Sequence, residues 1–239
     1  TAICVRDTSR PTIRKIRHVV RSQQLLRVDY ETTDDLSAEI EQKLLQEVDR
    51  VLGPGNVDGI LVSDYAKGVI TEGVARRLLA VAQKHDIPLA ADIKPSRGSY
   101  FKGATFISPN RKEAHEILGF NEHERGGRTP EELARLLSDK METDVYVTLA
   151  ADGMYVLTRD GENEHVPQEH VVEVFDPSGA GDTAASMLML ARLAGASPLE
   201  AAELANAAGA VVVGKVGSAG LTPDELIAMM THRHDTPSH

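Results

Sequence analysis

The residues best suited to chemistry are Asp176-Pro177-Ser178-Gly179-Ala180-Gly181-Asp182. An apolar, β-branched run from Val171 to Phe175 leads into them, and a small-residue helical pattern from Thr183 to Ala194 follows. A glycine-rich turn between a strand and a helix lets backbone N–H groups converge where the helix dipole is positive. Such a turn can hold a phosphate, or the charge that develops on one during its transfer. Asp182 lies at the mouth of the turn, where a carboxylate can accept the proton of an alcohol attacking phosphorus. A bare Gly-x-Gly-Asp is more often an ordinary connection whose Asp simply complements a helix N-terminus. The small-residue helix with Ala184-Ala185-Ser186, and companion segments upstream, tip the balance towards phosphoryl transfer.

The elements that must position this turn alternate in type. Strand-like runs are Gly59–Ser63, Leu89–Ile93, Ala104–Ser108, Val145–Leu149, Met154–Leu157 and Val171–Phe175. Between them, Ser37 to Leu52, Thr71 to His85, Arg111 to Leu118 and Pro130 to Met141 repeat apolar residues at helical spacing. This alternation predicts an α/β fold, a mainly parallel sheet with helices on both faces. Thr129-Pro130-Glu131-Glu132, Ser197-Pro198-Leu199-Glu200 and Thr222-Pro223-Asp224-Glu225 each read as an N-cap, a first-turn proline and a capping-box glutamate. Gly119 to Thr129 reads as a surface loop and residues 232–239 as a loose tail, leaving one domain over residues 1–231.

Composition narrows the partners. The chain has 239 residues, with 26 basic against 36 acidic side chains and a net charge of -10. That field repels nucleic acid and anionic membranes, although it permits a local basic pocket for a phosphorylated ligand. A single cysteine, Cys4, allows no internal disulfide and no thiolate zinc site, which fits a reducing cytoplasm. No apolar run is long enough for a membrane span. There is no Gly-x-x-x-x-Gly-Lys-Ser/Thr, so a P-loop NTPase is disfavoured, and no Rossmann glycine fingerprint follows the first strands.

Asp176 to Asp182 resembles the C-terminal signature of the ribokinase-like (PfkB) carbohydrate kinases, usually Asp-Thr/Val-Thr-Gly-Ala-Gly-Asp; here Pro177-Ser178 replaces the usual pair. The resemblance implies ATP as phosphoryl donor, Asp182 as catalytic base, and Gly179, Ala180 and Gly181 as the anion hole. Asn110-Arg111-Lys112-Glu113 is similar to the family's Asn-x-x-Glu motif, which implies that Asn110 and Glu113 organise Mg2+, through water. The same pair also fits a helix N-cap with its capping box, and both can hold at once. Thr148 to Gly153 resembles the Thr-x-x-x-x-Gly turn that faces the nucleotide. Ala205-Asn206-Ala207-Ala208-Gly209 through Gly217 resembles the helix and loop around adenine and ribose. Thr148, Gly153, Asn206, Gly217 and Lys94 are the nucleotide-binding residues so implied.

Within the family, Arg21 to Asp29, Ser63-Asp64-Tyr65-Ala66-Lys67-Gly68 and Ala91-Asp92-Ile93-Lys94-Pro95 are similar to the heptose 7-phosphate kinases, the kinase half of bifunctional ADP-heptose enzymes. This implies a sugar-phosphate acceptor held by Asp64 and Lys67, with Arg21 and Arg27 as further cations. The family's first strands, Gly-Gly motif and lid are not visible. Residues 1–31 read as the remnant of lid and return strand, and the sheet is expected to lack its first strands. A homodimer through that lid is allowed by the resemblance. Two other readings remain open: a PfkB kinase for another sugar or a nucleoside, and a nucleotide-binding module without catalysis.

Overall fold

The computed structural model describes residues 2–20, 23–53, 55, 57–120, 127–170, 172–215, 217 and 219–231. Arg21, Val171 and the tail 232–239 fall outside these residues, as does most of the loop expected at Gly119–Thr129.

The first elements, β1 (Arg14–Val20) and β2 (Gln23–Tyr30), pair with each other in an antiparallel ribbon that has a bulge between His18 and Val19. The body follows as α1 (Ala38–Val51), β3 (Ile60–Ser63), α2 (Glu72–His85), β4 (Leu89–Asp92), β5 (Phe106–Ile107), α3 (Arg111–Leu118), α4 (Pro130–Met141) and β6 (Asp144–Thr148). It continues with β7 (Met154–Leu157), β8 (Asn163–Val166), α5 (Ala180–Leu193), α6 (Pro198–Val213) and α7 (Pro223–Thr231). The six strands of the body lie in sequence order, β3-β4-β5-β6-β7-β8. Pairs from β3 to β6 are parallel, and β7 and β8 add antiparallel neighbours.

Strand alternation divides the core into two faces. Leu89, Ile107, Val145 and Val147 pack with Val74, Leu78, Leu133 and Leu137 from α2 and α4. Their neighbours Ala90, Phe106 and Tyr146 point the other way, onto Leu188 and Met189 of α5 and Ala201, Ala202 and Ala205 of α6. The alanines of α6 let α5 approach it closely over that second face. Capping boxes start α4 at Thr129 and α6 at Ser197, and Thr222 exchanges the equivalent bonds with Glu225 before α7.

The strand expected at Val171–Phe175 does not form over its described residues 172–175. The N–H groups of Phe175 and Asp176 bond instead to the Val213 carbonyl at the end of α6, at 2.8 and 3.3 Å. Val174 and Phe175 are exposed. An apolar run makes a strand only where a neighbour offers a ladder, and here the helix end takes the backbone donors first.

Candidate active site

The C-terminal ends of β3, β4 and β5 and the N-terminus of α5 share one edge of the sheet, the place where open parallel sheets bind ligands. Gly179 caps α5 in the left-handed region, φ 85°, and a Cβ there would meet no atom within 4 Å. The residue is glycine because the backbone must reverse, and the space above it stays open. The first i→i−4 bond of α5 runs from Thr183 N–H to the Gly179 carbonyl at 2.9 Å, which leaves Gly181 and Asp182 among the N–H groups that precede it. Ala180 N–H contacts the Pro177 carbonyl at 3.3 Å, closing the turn. The Ser178 side chain, then the Ser178 N–H bonded to the Asp176 carboxylate at 2.9 Å, with lesser help from Arg17 and the Gly217 N–H, hold that carboxyl below the ordinary range.

Asp182, in the first turn of α5, is gripped by two hydroxyls from β3 and its extension. Ser63 Oγ donates to Oδ1 at 2.9 Å, and Tyr65 Oη donates to Oδ2 at 2.7 Å. Neither hydroxyl stands out in the sequence, because they meet Asp182 across 119 and 117 residues of chain. The signals that could find them are their place at a strand end and the likeness of Ser63–Gly68 to heptose 7-phosphate kinases.

The other carboxylates gather behind Asp182. Asp92 closes β4, and its carboxyl is pushed up to about 6, first by burial and then by Glu113, Asp182 and Asp64, against the pull of Lys94. Lys94 pairs with Glu113 at 2.6 Å. Burial lowers its affinity for the proton, but Glu113, Asp92 and Asp182 outweigh that and leave its pKa raised. Glu113 Oε2 accepts from Asn110 N–H at 3.1 Å while Asn110 Oδ1 accepts from Glu113 N–H at 2.9 Å, the expected capping box. Asn110 also bridges Thr148 across the β5–β6 gap, with Thr148 N–H bonded to the Pro109 carbonyl at 2.9 Å. The structure thus brings Lys94, Asn110, Glu113, Thr148 and Asp182 to one edge.

Gly153 and Asn206 lie further along it. Gly153 has φ 92°, and a Cβ there would fall 2.3 Å from the Val166 carbonyl, so only glycine admits β8 so closely. Asn206 is buried in α6, and its amide N–H groups donate to the Val166 and Pro167 carbonyls at 3.1 and 3.3 Å. Its place is a brace between α6 and the end of β8, outside the carboxylate cluster. Gly217 has φ 77° and joins the edge through its contact with Asp176.

Of the residues expected to hold the acceptor, Asp64 is 4% exposed; its Oδ1 accepts from Ala66 N–H at 2.9 Å and burial raises its pKa. It shapes the turn from below and faces away from solvent. Lys67 pairs with Glu31 at the foot of the ribbon, and Arg27 with Asp29 at 2.9 Å.

Magnesium fits this edge through water. The donors are hard oxygens, and the charged form of Asp92 is disfavoured first by burial and then by its anionic neighbours, against the pull of Lys94. A polyphosphate brought here adds more negative charge, which a divalent ion would offset. Among the described residues no three His, Cys, Asp or Glu side chains form a group able to hold a metal, and Asn110 and Glu113 bond each other.

The chain belongs to the pfkB family of carbohydrate kinases, whose sequence profile matches residues 1–225. It is 37% identical over 232 residues to the bifunctional protein HldE of Geobacter sulfurreducens and 39% identical over 233 residues to that of Paramagnetospirillum magneticum. Each match covers 96% of this chain and 46% of the relative, so the chain spans about half the length of the curated relatives it matches. The fold is shared with phosphofructokinase-2 of Escherichia coli in complex with substrates and products, at TM-score 0.72, 18% identity, and coverage of 92% of this chain and 70% of that one. Ribokinase of Thermotoga maritima matches at TM-score 0.67 and 21% identity, with the same coverage. These neighbours bear out the ribokinase-like fold. Among the described residues no helix is long and apolar enough to cross a membrane.

Proposed function

We propose that this chain transfers the γ-phosphoryl group of ATP to a hydroxyl of heptose 7-phosphate. The observation that carries this reading is Asp182, held by its two hydroxyl donors in the first turn of α5, beside the open Gly179–Gly181 turn. In that position its carboxylate accepts the proton of the acceptor hydroxyl as the oxygen attacks phosphorus. The Gly179–Gly181 turn surrounds the charge that builds on the transferred group, with the Gly181 N–H facing it and the Ala180 N–H joining once it leaves its 3.3 Å contact with the Pro177 carbonyl. Mg2+, held through water by Asn110 and Glu113, would neutralise phosphate charge. Lys94 would pair with a nucleotide phosphate once Glu113 shares it, and Thr148, Gly153, Asn206 and Gly217 would line the nucleotide side. Asp64 and Lys67 shape the acceptor side, Asp64 through the turn it anchors. The heptose assignment is supported by the likeness of Ser63–Gly68 and Ala91–Pro95 to heptose 7-phosphate kinases and by the HldE relatives. Residues 1–231 form one kinase unit in this reading.

The test is ATP consumption by the purified chain with heptose 7-phosphate, ribose and fructose in parallel. Turnover is expected with heptose 7-phosphate well above the other two. Measurable ADP binding with no turnover of any sugar would contradict the reading for this chain.

A further inference from the structure

The Asp182 carboxylate is gripped by two hydroxyls that differ in freedom. Strand alternation sends Ser63 and Tyr65 to one side of the chain and Asp64 to the other. Asp64 anchors the turn from beneath: its N–H bonds to the Asp92 carbonyl at 2.9 Å, and its Oδ1 holds Ala66, which has φ 52°. Ser63 ends a strand paired to β4, so its short side chain has a fixed origin. Tyr65 stands beyond the strand end with 56% of its surface exposed, so its ring can change rotamer without uncovering core. A base takes its proton along a hydrogen bond of about 2.6–3.2 Å. The Tyr65 hydroxyl, 2.7 Å from Oδ2, therefore takes one of the two lone-pair directions by which an acceptor hydroxyl can reach that oxygen.

We propose that Tyr65 is a placeholder for the acceptor alcohol: its hydroxyl occupies Oδ2 of Asp182 until the sugar's hydroxyl replaces it, while Ser63 keeps Oδ1 fixed as a positioning residue. The proposal rests on Asp182 being the base. In the exchange Tyr65 keeps its own proton, and the acceptor's proton passes to Oδ2 as its oxygen bonds to phosphorus and the ADP oxygen leaves. The neighbouring carboxylate raises the phenol's pKa, so Tyr65 remains a donor at neutral pH and does not compete as a base. The pairing also explains a tyrosine exposed at the mouth of a polar site, where its hydroxyl serves Asp182 rather than packing.

The chain has five tyrosines and no tryptophan, so tyrosine emission is directly readable. A phenol that donates to a carboxylate is quenched. Asp182→Asn should therefore raise emission in the otherwise wild-type chain and leave it unchanged in the Tyr65→Phe background. An equal rise in both, or none, would overturn the contact. Adding heptose 7-phosphate to the ADP-loaded wild-type chain should raise emission by the same increment, and no rise would overturn the displacement. In turnover, Tyr65→Phe should lower KM for heptose 7-phosphate by about 3–10-fold, the worth of one net hydrogen bond no longer displaced. A raised KM would make Tyr65 a sugar contact instead. Ser63→Ala should act on kcat and be rescued by Ser63→Thr; an effect on KM alone would remove Ser63 from its role. The two readings fail separately. Absent turnover with an intact emission response defeats Asp182 as base, whereas turnover without that response defeats the placeholder.

Discussion

In the six-stranded body Leu89, Ile107 and Val145 are at most 1% exposed, whereas every residue of β1 is exposed and Leu25 and Leu26 of β2 are 62% and 55% exposed. Both regions satisfy their backbones by strand pairing, yet only the body has side chains covering both of its faces. A two-stranded ribbon without such cover is marginally stable by itself. It is held at its foot by charge, where Lys15 pairs with Asp29 and Glu31, and Lys67 pairs with Glu31. The comparison teaches where function can be rigid. The groups proposed for phosphoryl transfer stand on the body's strand ends and on α5, while among the described residues the ribbon's foot is tied to that edge by the Lys67–Glu31 pair and Arg17 of β1 acts on Asp176.

The sharpest way to break the comparison is a truncation in each region. Leu188, fully buried on α5, should lose about 2–5 kcal/mol of stability as Leu188→Ala. Leu26→Ala in the ribbon should stay within about 0.5 kcal/mol. Denaturant unfolding of both variants checks this, and equal losses would erase the distinction.

A smaller effect separates the site from the core around it. Asp92 holds its proton up to about 6, above the ordinary 3.8, so the folded state binds protons more tightly than the unfolded one. Stability contributed by protonated Asp92 is present below pH 3.8 and is lost as pH rises through about 6. Asp92→Asn should therefore stabilise the metal-free chain at pH 7.5 by up to about 3 kcal/mol and lose that advantage near pH 4. Unfolding curves at the two pH values test the sign.

The smallest effect concerns the anchor. Glu31→Gln should speed hydrogen exchange of the β1–β2 amides and leave those of β4 and β6 protected. Lys67 and Lys15 hold the Glu31 carboxyl below its ordinary 4.5, so the anchor persists above that pH and weakens as pH falls below it. Unchanged exchange in the ribbon would mean that Glu31 does not hold it.

Much of the body was legible because its signals are local. The proline-led capping boxes place α4, α6 and α7, and continuous apolar runs place β3, β4 and β6. Residues 1–31 read only as a lid remnant with a return strand, and the two paired strands are not separately legible because Arg14-Lys15-Ile16-Arg17-His18 has no buried face to write a pattern. β8 was missed because only Val166 of its four residues is buried. The run at Val171–Phe175 misled for the opposite reason, since its described residues are apolar without a strand to pair with. In the site, Asn110 and Glu113 were readable as a capping box, a contact three residues apart. The Lys94–Glu113 pair and the Ser63–Asp182–Tyr65 grip were not, because only the folded sheet edge brings β3, β4, α3 and α5 together.

The central claim is that Asp182 is the base of a phosphoryl transfer to a sugar phosphate. Its most direct test is Asp182→Asn, with turnover of heptose 7-phosphate and affinity for ADP measured on the same preparation. Turnover should fall by about 10²–10⁴-fold while ADP affinity stays nearly unchanged. Turnover retained within tenfold would contradict the account.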